Sequence, residues 1–166
     1  MLQTTTTRLD LKQEGALFKK YPELPSVIQD AMLLVRMLDE RFLWVDTLCI
    51  EQDNTAQKHN QIAQMDTVYS HALLTVVALS GMNAAACLPG IRLGTRTSTA
   101  LEGVVGGYTV FTQPYIDYEE MTYETRAWTL QERLLSKRYL YFTQHTILYS
   151  CHADVQCETG LTFPQP

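Results

Sequence analysis

The chain lacks several things that would have fixed its chemistry at once. No basic run is longer than two residues (Lys19-Lys20 and Lys137-Arg138), and the formal charge is −5. A surface that tracks phosphates needs clustered Lys and Arg, so nucleic acid is excluded as an expected partner. There is no glycine-rich phosphate loop, because "GVVGGY" has the wrong glycine pattern and opens no obvious helix. The four cysteines, Cys49, Cys87, Cys151 and Cys157, match neither a disulfide scaffold nor a paired C-x-x-C zinc module. Cys151, His152 and Cys157 offer three ligands with no fourth at motif spacing, so no metal is expected. No run approaches the ~18 apolar residues of a membrane span, and "MLQTTTTRLDLKQEG" has no signal core. These absences leave a soluble cytoplasmic protein with reduced thiols and no membrane partner as the expectation. Internal repeats are absent, and the only low-complexity stretch is Thr4 to Thr7.

What is present suits one globular domain: 166 residues, 46% hydrophobic and 19% charged. Residues 1–23 are polar and predict a loop or a short, poorly anchored element. "LPSVIQDAMLLVRML" predicts a helix, with Val27, Ile28, Ala31, Leu34, Val35 and Leu38 on one apolar stripe and Ser26 with Gln29 as a capping box. "FLWVD" is a nearly continuous apolar run, the pattern of a strand buried on both faces. A polar loop leads to a second helix burying Ile62, Met65, Tyr69 and Ala72, then to a second buried strand, "LLTVVALS". Helix, strand, helix, strand predicts a right-handed crossover and a parallel α/β sheet flanked by helices. Between Gly81 and Tyr123 only "GYTVFT" has strand character. A helix follows through Trp128, Leu130, Leu134 and Leu135, and "RYLYF" with "TILYS" predicts a C-terminal β-hairpin. The expected organisation is an N-terminal segment 1–23, a domain over 24–150 and a tail over 151–166.

Two stretches carry candidate chemistry. In "FLWVDTLCIEQD", Asp46 ends an apolar run and Thr47, Glu51, Gln52 and Asp53 follow. Ligands of open α/β sheets bind beyond the carboxyl ends of strands, where a carboxylate accepts hydrogen bonds from ribose hydroxyls. Equally, Asp46 can cap local amides while Glu51 and Asp53 stay solvated. In "RAWTLQERLL", Trp128 and Glu132 are four apart and share a helix face, with Arg126 and Arg133 beside them. A Glu facing a cleft orients a ribose or stabilises the positive charge that develops as a glycosidic bond breaks. Read without a partner, the same Glu is a surface charge on a helix whose Trp is core.

The blocks "LPSVIQDAM", "LWVDTLCIEQD", "QMDTVYSHA" and "RAWTLQERLLSKRYLYF" stand in the order and spacing of the fungal heterokaryon incompatibility domain. The chain resembles that family over residues 24–150. The resemblance implies a fold similar to the Toll/interleukin-1 receptor domain, and a role in fungal non-self recognition and programmed cell death. Some members of that superfamily cleave NAD with the Glu of a "W---E" pair, which nominates Glu132 as the catalytic carboxylate. Asp46, Asp53, Arg126 and Trp128 would then border the nucleotide, with NAD as substrate rather than cofactor. Self-association or a signalling partner would accompany activation. The family's usual opening "Y-ALSY-WG" block has no counterpart here, so a shortened member is expected. The alternatives are a non-catalytic self-associating module and an inactive truncated member.

Overall fold

The central element of the fold is a strand that the sequence shows plainly. In the computed structural model, which describes residues 3–79, 86–96, 102–111, 129–158 and 162–163, β4 (Arg138–Phe142) lies between β1 (Thr75–Ala78) and β5 (Ile147–Cys151). β1 runs parallel to β4, pairing Thr75 with Tyr139 and Ala78 with Phe142. β5 returns antiparallel, with Phe142 opposite Ile147, and β6 (Val155–Cys157) and β7 (Thr162–Phe163) continue the sheet in the order β1-β4-β5-β6-β7. The fold is therefore mixed α/β, with one parallel pair on a mostly antiparallel sheet, and the expectation of a parallel sheet is corrected. Only the connection from β1 to β4 is long enough for a crossover. The later strands follow one another through short turns, which join antiparallel neighbours.

Period-two alternation assigns the two faces of this sheet. Phe142, fully buried, joins Leu88, Ala31 and Leu34 in the main core, with Val76, Ala78 and Leu140 packed against it. Val77, Leu79 and Tyr139 form a second cluster on the opposite face. Helix α3 (Ser26–Met37) covers the first face with Ala31, Leu34 and the partly buried Val27, residues of its predicted apolar stripe. Its expected capping box does not form. Pro25 occupies the N-cap position, and the Gln29 amide instead donates to the Leu24 carbonyl at 2.8 Å.

Three other expectations change. "FLWVD" is not a strand: residues 40–45 make no ladder, and Asp46–Cys49 form a short helix, α4. The run is apolar because its side chains serve different clusters. Leu43 packs into the α3 core and Trp44 against Tyr69, while Phe42 is 84% exposed beneath the Arg41 guanidinium. An apolar run reads the same whether it fills a strand or bridges two cores. The second helix is two, α5 (Thr55–Ile62) and α6 (Met65–His71), and the break lets Ile62, Met65 and Tyr69 meet in one cluster with Ile50. "GYTVFT" is one arm of a hairpin, β2 (Glu102–Val105) and β3 (Tyr108–Phe111), in a two-stranded sheet of its own. Its turn residues Gly106 and Gly107 both have positive φ, 61° and 84°, as a type I′ turn demands.

The N-terminal segment folds as α1 (Thr5–Leu11), α2 (Ala16–Lys19) and a 3-10 turn (Tyr21–Glu23). The threonine run supplies the cap of α1: Thr4 Oγ1 accepts from the Thr7 amide and Thr7 Oγ1 from the Thr4 amide. This helix is tied to the block after Trp44. The Gln3 amide donates to the Thr47 carbonyl at 2.7 Å, and the Gln52 amide to the Gln3 carbonyl at 2.9 Å. Among the described residues no helix is long and apolar enough to cross a membrane.

Candidate functional site

Helix α7 (Thr129–Leu135) is fixed at its C-terminal end by the sheet. The Tyr139 hydroxyl lies 2.9, 2.6 and 3.0 Å from the carbonyls of Glu132, Arg133 and Ser136, and shares its one proton among these acceptors at the end of the helix. Ser136 Oγ also meets Thr75 Oγ1 of β1 at 2.7 Å. With its end clamped in this way, α7 holds Glu132 half-buried toward α6.

There the Tyr69 phenol donates to Glu132 Oε1 at 3.1 Å. Tyr69 is 7% exposed, and its ring meets Trp44 edge-on at 6.1 Å and 71°. Burial, then the charge of Glu132 and the hydrogen bond to it, then the charge of Asp46, all push the phenol above its ordinary pKa of 10. The hydroxyl therefore stays a neutral donor at physiological pH. The geometry brings together three sequence blocks: Trp44 from the first, Tyr69 from the second and Glu132 from the third, with the charge of Asp46 a weaker influence on the phenol.

Asp46 begins α4, is exposed, and accepts from the Thr47 amide at 2.6 Å. Asp53 is also exposed, but its two oxygens accept from the Thr5 amide at 2.8 and 3.0 Å. That hydrogen bond lowers its pKa. Asp53 thus satisfies an otherwise unpaired donor in the first turn of α1. Arg126 and Trp128 lie outside the described residues.

Sequence reasoning missed three side chains. Tyr69 was assigned only to an apolar stripe, although a hydroxyl on such a stripe needs a partner when buried. Glu51, expected to be solvated, is 1% exposed and paired with Arg8 Nη1 at 2.6 Å. Asp30 is fully buried, accepting from the Leu88 amide at 2.8 Å and from Arg92 Nε at 2.5 Å. The Asp30 partnership raises the Arg92 pKa above its usual value. The signal for Asp30 was its position beside Ile28, Ala31 and Leu34 on a buried helix, where a charge needs a partner. All four cysteines are free, and among the described residues no three His, Cys, Asp or Glu side chains gather as a metal site requires.

The sequence pattern of the heterokaryon incompatibility protein (HET) family matches residues 2–132. The chain belongs to the HET family. The match takes in α1 and the Asp46 block and ends on Glu132 itself, so β4–β7 lie beyond it. Neither the curated proteins nor the solved structures provide a match to this HET chain. A half-buried carboxylate beside a neutral phenol, with a second carboxylate acting on the same phenol, has the electrostatics to favour a cationic group or to accept hydrogen bonds from sugar hydroxyls.

Proposed function

We propose that this HET chain is a signalling domain of fungal non-self recognition whose output is cleavage of the nicotinamide–ribose bond of NAD. The observation that carries the reading is the Tyr69–Glu132 hydrogen bond, which joins two family blocks at a site where Asp46 of a third is also felt. In the reaction the bond from ribose C1′ to the pyridinium nitrogen breaks, and its electron pair leaves with nicotinamide. Glu132 stabilises the resulting oxocarbenium charge, as an anion placed where positive charge develops does best. Water then adds at C1′ and loses a proton, giving ADP-ribose. A kinship with Toll/interleukin-1 receptor domains belongs to this proposal and rests on the Trp128–Glu132 spacing.

The test is nicotinamide release from NAD by purified protein over a range of concentrations, against Glu132→Ala and Glu132→Gln. Both substitutions are expected to abolish release, and release that survives either one overturns the assignment. A second reading, signalling by assembly without catalysis, is favoured by the β2–β3 hairpin. Its Val104, Val105 and Tyr108 are 72, 68 and 79% exposed, an apolar surface of the kind that marks interaction sites. Concentration-dependent assembly with no nicotinamide release at any concentration selects that reading.

A further inference from the structure

Two strands of this chain present unpaired edges, and the two edges complement each other. β1 is the first. In a parallel ladder the backbone groups of successive residues turn alternately toward and away from the neighbouring strand. The Leu79 amide donates to the Phe142 carbonyl at 2.9 Å, so Thr75, Val77 and Leu79 turn toward β4. Val76 and Ala78 turn outward, and among the described residues their amides and carbonyls have no partner. Thr75, Val76 and Ala78 are only half-buried, as residues at an open edge are. Proteins usually guard such an edge with charge, proline, a bulge or extreme shortness. The far border of the sheet obeys, since β7 is two residues long. β1 does not. The run "TVVAL" from Thr75 to Leu79 has no charge, proline or glycine, and its side chains pack into apolar clusters on both faces. That is the composition of a strand inside a sheet, placed at its border.

The β2–β3 hairpin is the second. Every residue from Gly103 to Val110 is exposed. Val104 and Val105 are adjacent and face opposite ways, so apolar side chains meet water on both faces. A two-stranded hairpin is marginal in water without a third strand or a packed face. Its two edges differ. β2 carries Glu102, whereas β3, "YTVF", consists of strand formers without charge. The two-residue type I′ turn makes Val105 and Tyr108 a hydrogen-bonded pair, so Thr109 and Phe111 turn their backbone groups away from β2. Among the described residues those of Thr109 have no partner.

We infer that β3 of one copy pairs with β1 of a second copy, antiparallel, with Thr109 opposite Ala78 and Phe111 opposite Val76. Both strands are four residues long, and this register joins their outward groups in four hydrogen bonds. It also sets Val110 opposite Val77 and Tyr108 opposite Leu79, extending the apolar face that Val77, Leu79 and Tyr139 begin. Within one chain the hairpin and β1 belong to separate sheets, so the occupant is a second copy. Donor and acceptor are different surfaces, and the contact is heterologous. It rests on the assembly reading of the hairpin and holds whether or not NAD is cleaved.

The test is sedimentation of the full chain over a range of concentrations, with two variants. Val76→Pro removes the outward amide of β1, and Thr109→Pro that of β3. Neither N–H serves a ladder within the chain, and proline is tolerated at such edge positions. Each variant alone should need at least about tenfold more protein than the parent to assemble, the effect of one lost hydrogen bond. Mixed one to one, the two should form a heterodimer and nothing larger, because each supplies the edge that the other lacks. A measurement without variants stands beside this. In the parent, hydrogen exchange at Val76, Ala78 and Thr109 should slow together, at least about tenfold, as concentration rises. Assembly that ignores either proline overturns the inference. So does failure to complement when both variants keep native amide dispersion, or slowing in one strand alone. Slowing at all three amides in a chain that stays monomeric seats the hairpin on its own β1, and overturns it too. Assembly untouched by both prolines keeps the assembly reading and removes this contact, whereas a chain that is monomeric at every concentration removes both.

Discussion

Two pairs of carboxylates, all four within the family blocks, occupy opposite environments. Asp30 and Glu51 are buried to 0 and 1% exposure and are held by cations and amides from distant parts of the chain. Asp46 is exposed and Glu132 half-buried; Glu132 accepts a hydrogen bond from the Tyr69 phenol, and the charge of Asp46 acts on the same phenol more weakly. The first pair is scaffold. Asp30 pins the loop after β1 to α3, and Glu51 pins α1 to the Asp46 block. The difference teaches that a carboxylate in a family motif is not thereby a chemical group. Burial with a dedicated cation marks the structural members, because only such partners offset the cost of removing a charge from water.

Breaking the Asp30 contacts should have the largest effect. Asp30→Ala strands the buried Leu88 amide and releases Arg92, and is expected to cost about 3 kcal/mol. Urea unfolding checks this through a lowered midpoint at unchanged slope. The adjoining loop gives an independent reading. Gly90 has φ +97°, and a Cβ there would run into the Arg96 guanidinium, which itself pairs with Glu158 at 2.5 Å. The same loop is thus clamped twice, and Asp30→Ala should loosen hydrogen exchange there before it does so in β4 or β5.

The Glu51 pair comes next. Glu51→Ala is expected to cost about 2 kcal/mol, and Arg8→Ala at least as much, because it leaves a buried charge without its partner. Glu51→Gln should be milder than either. If Arg8→Ala is neutral by urea unfolding, Glu51 is not held by that pair and the division into scaffold and site fails.

How much of this was legible follows from the kind of pattern involved. β1, β4 and β5 and helix α3 were readable because each writes its buried face at a fixed period in contiguous residues. Glu132 was readable as a candidate because helix spacing puts it with Trp128 and because the family blocks point to it. Residues 40–45 were not readable, since Leu43 and Trp44 answer to two different cores. The antiparallel continuation through β6 was missed because Val155–Cys157 is too short for a periodic signal. The partners of Glu51 and Asp53 lie about forty-five residues upstream in α1, and no local rule reports a long-range ion pair or amide contact.

On the other side of the comparison, Tyr69→Phe removes the hydroxyl that Glu132 accepts and leaves the ring against Trp44. The expected stability loss is about 1 kcal/mol, the net worth of one hydrogen bond. Under the proposed function its effect on nicotinamide release should exceed its effect on the unfolding midpoint, since Glu132 loses the group that orients it. A change of about 3 kcal/mol in stability instead would move Glu132 into the scaffold class.

The smallest effect, and the sharpest division, belongs to Asp53. It is exposed, as Asp46 is, yet both its oxygens are engaged by the Thr5 amide, as the oxygens of the buried pair are engaged by theirs. If commitment to a protein donor rather than burial defines the scaffold, Asp53 belongs there and its charge should matter to folding. Its pKa is lowered in the folded chain, chiefly by the Thr5 amide. A carboxyl so lowered contributes stability that is fully present above its unfolded pKa, roughly 4, and is lost as pH falls through the lower folded value. Asp53→Asn should therefore differ most from the parent near neutrality and converge with it in acid, giving a shallower acid limb in urea midpoints measured against pH. Parallel limbs would mean that the Thr5 contact contributes nothing to folding. Asp53 would then rejoin Asp46 as a carboxylate available to a ligand.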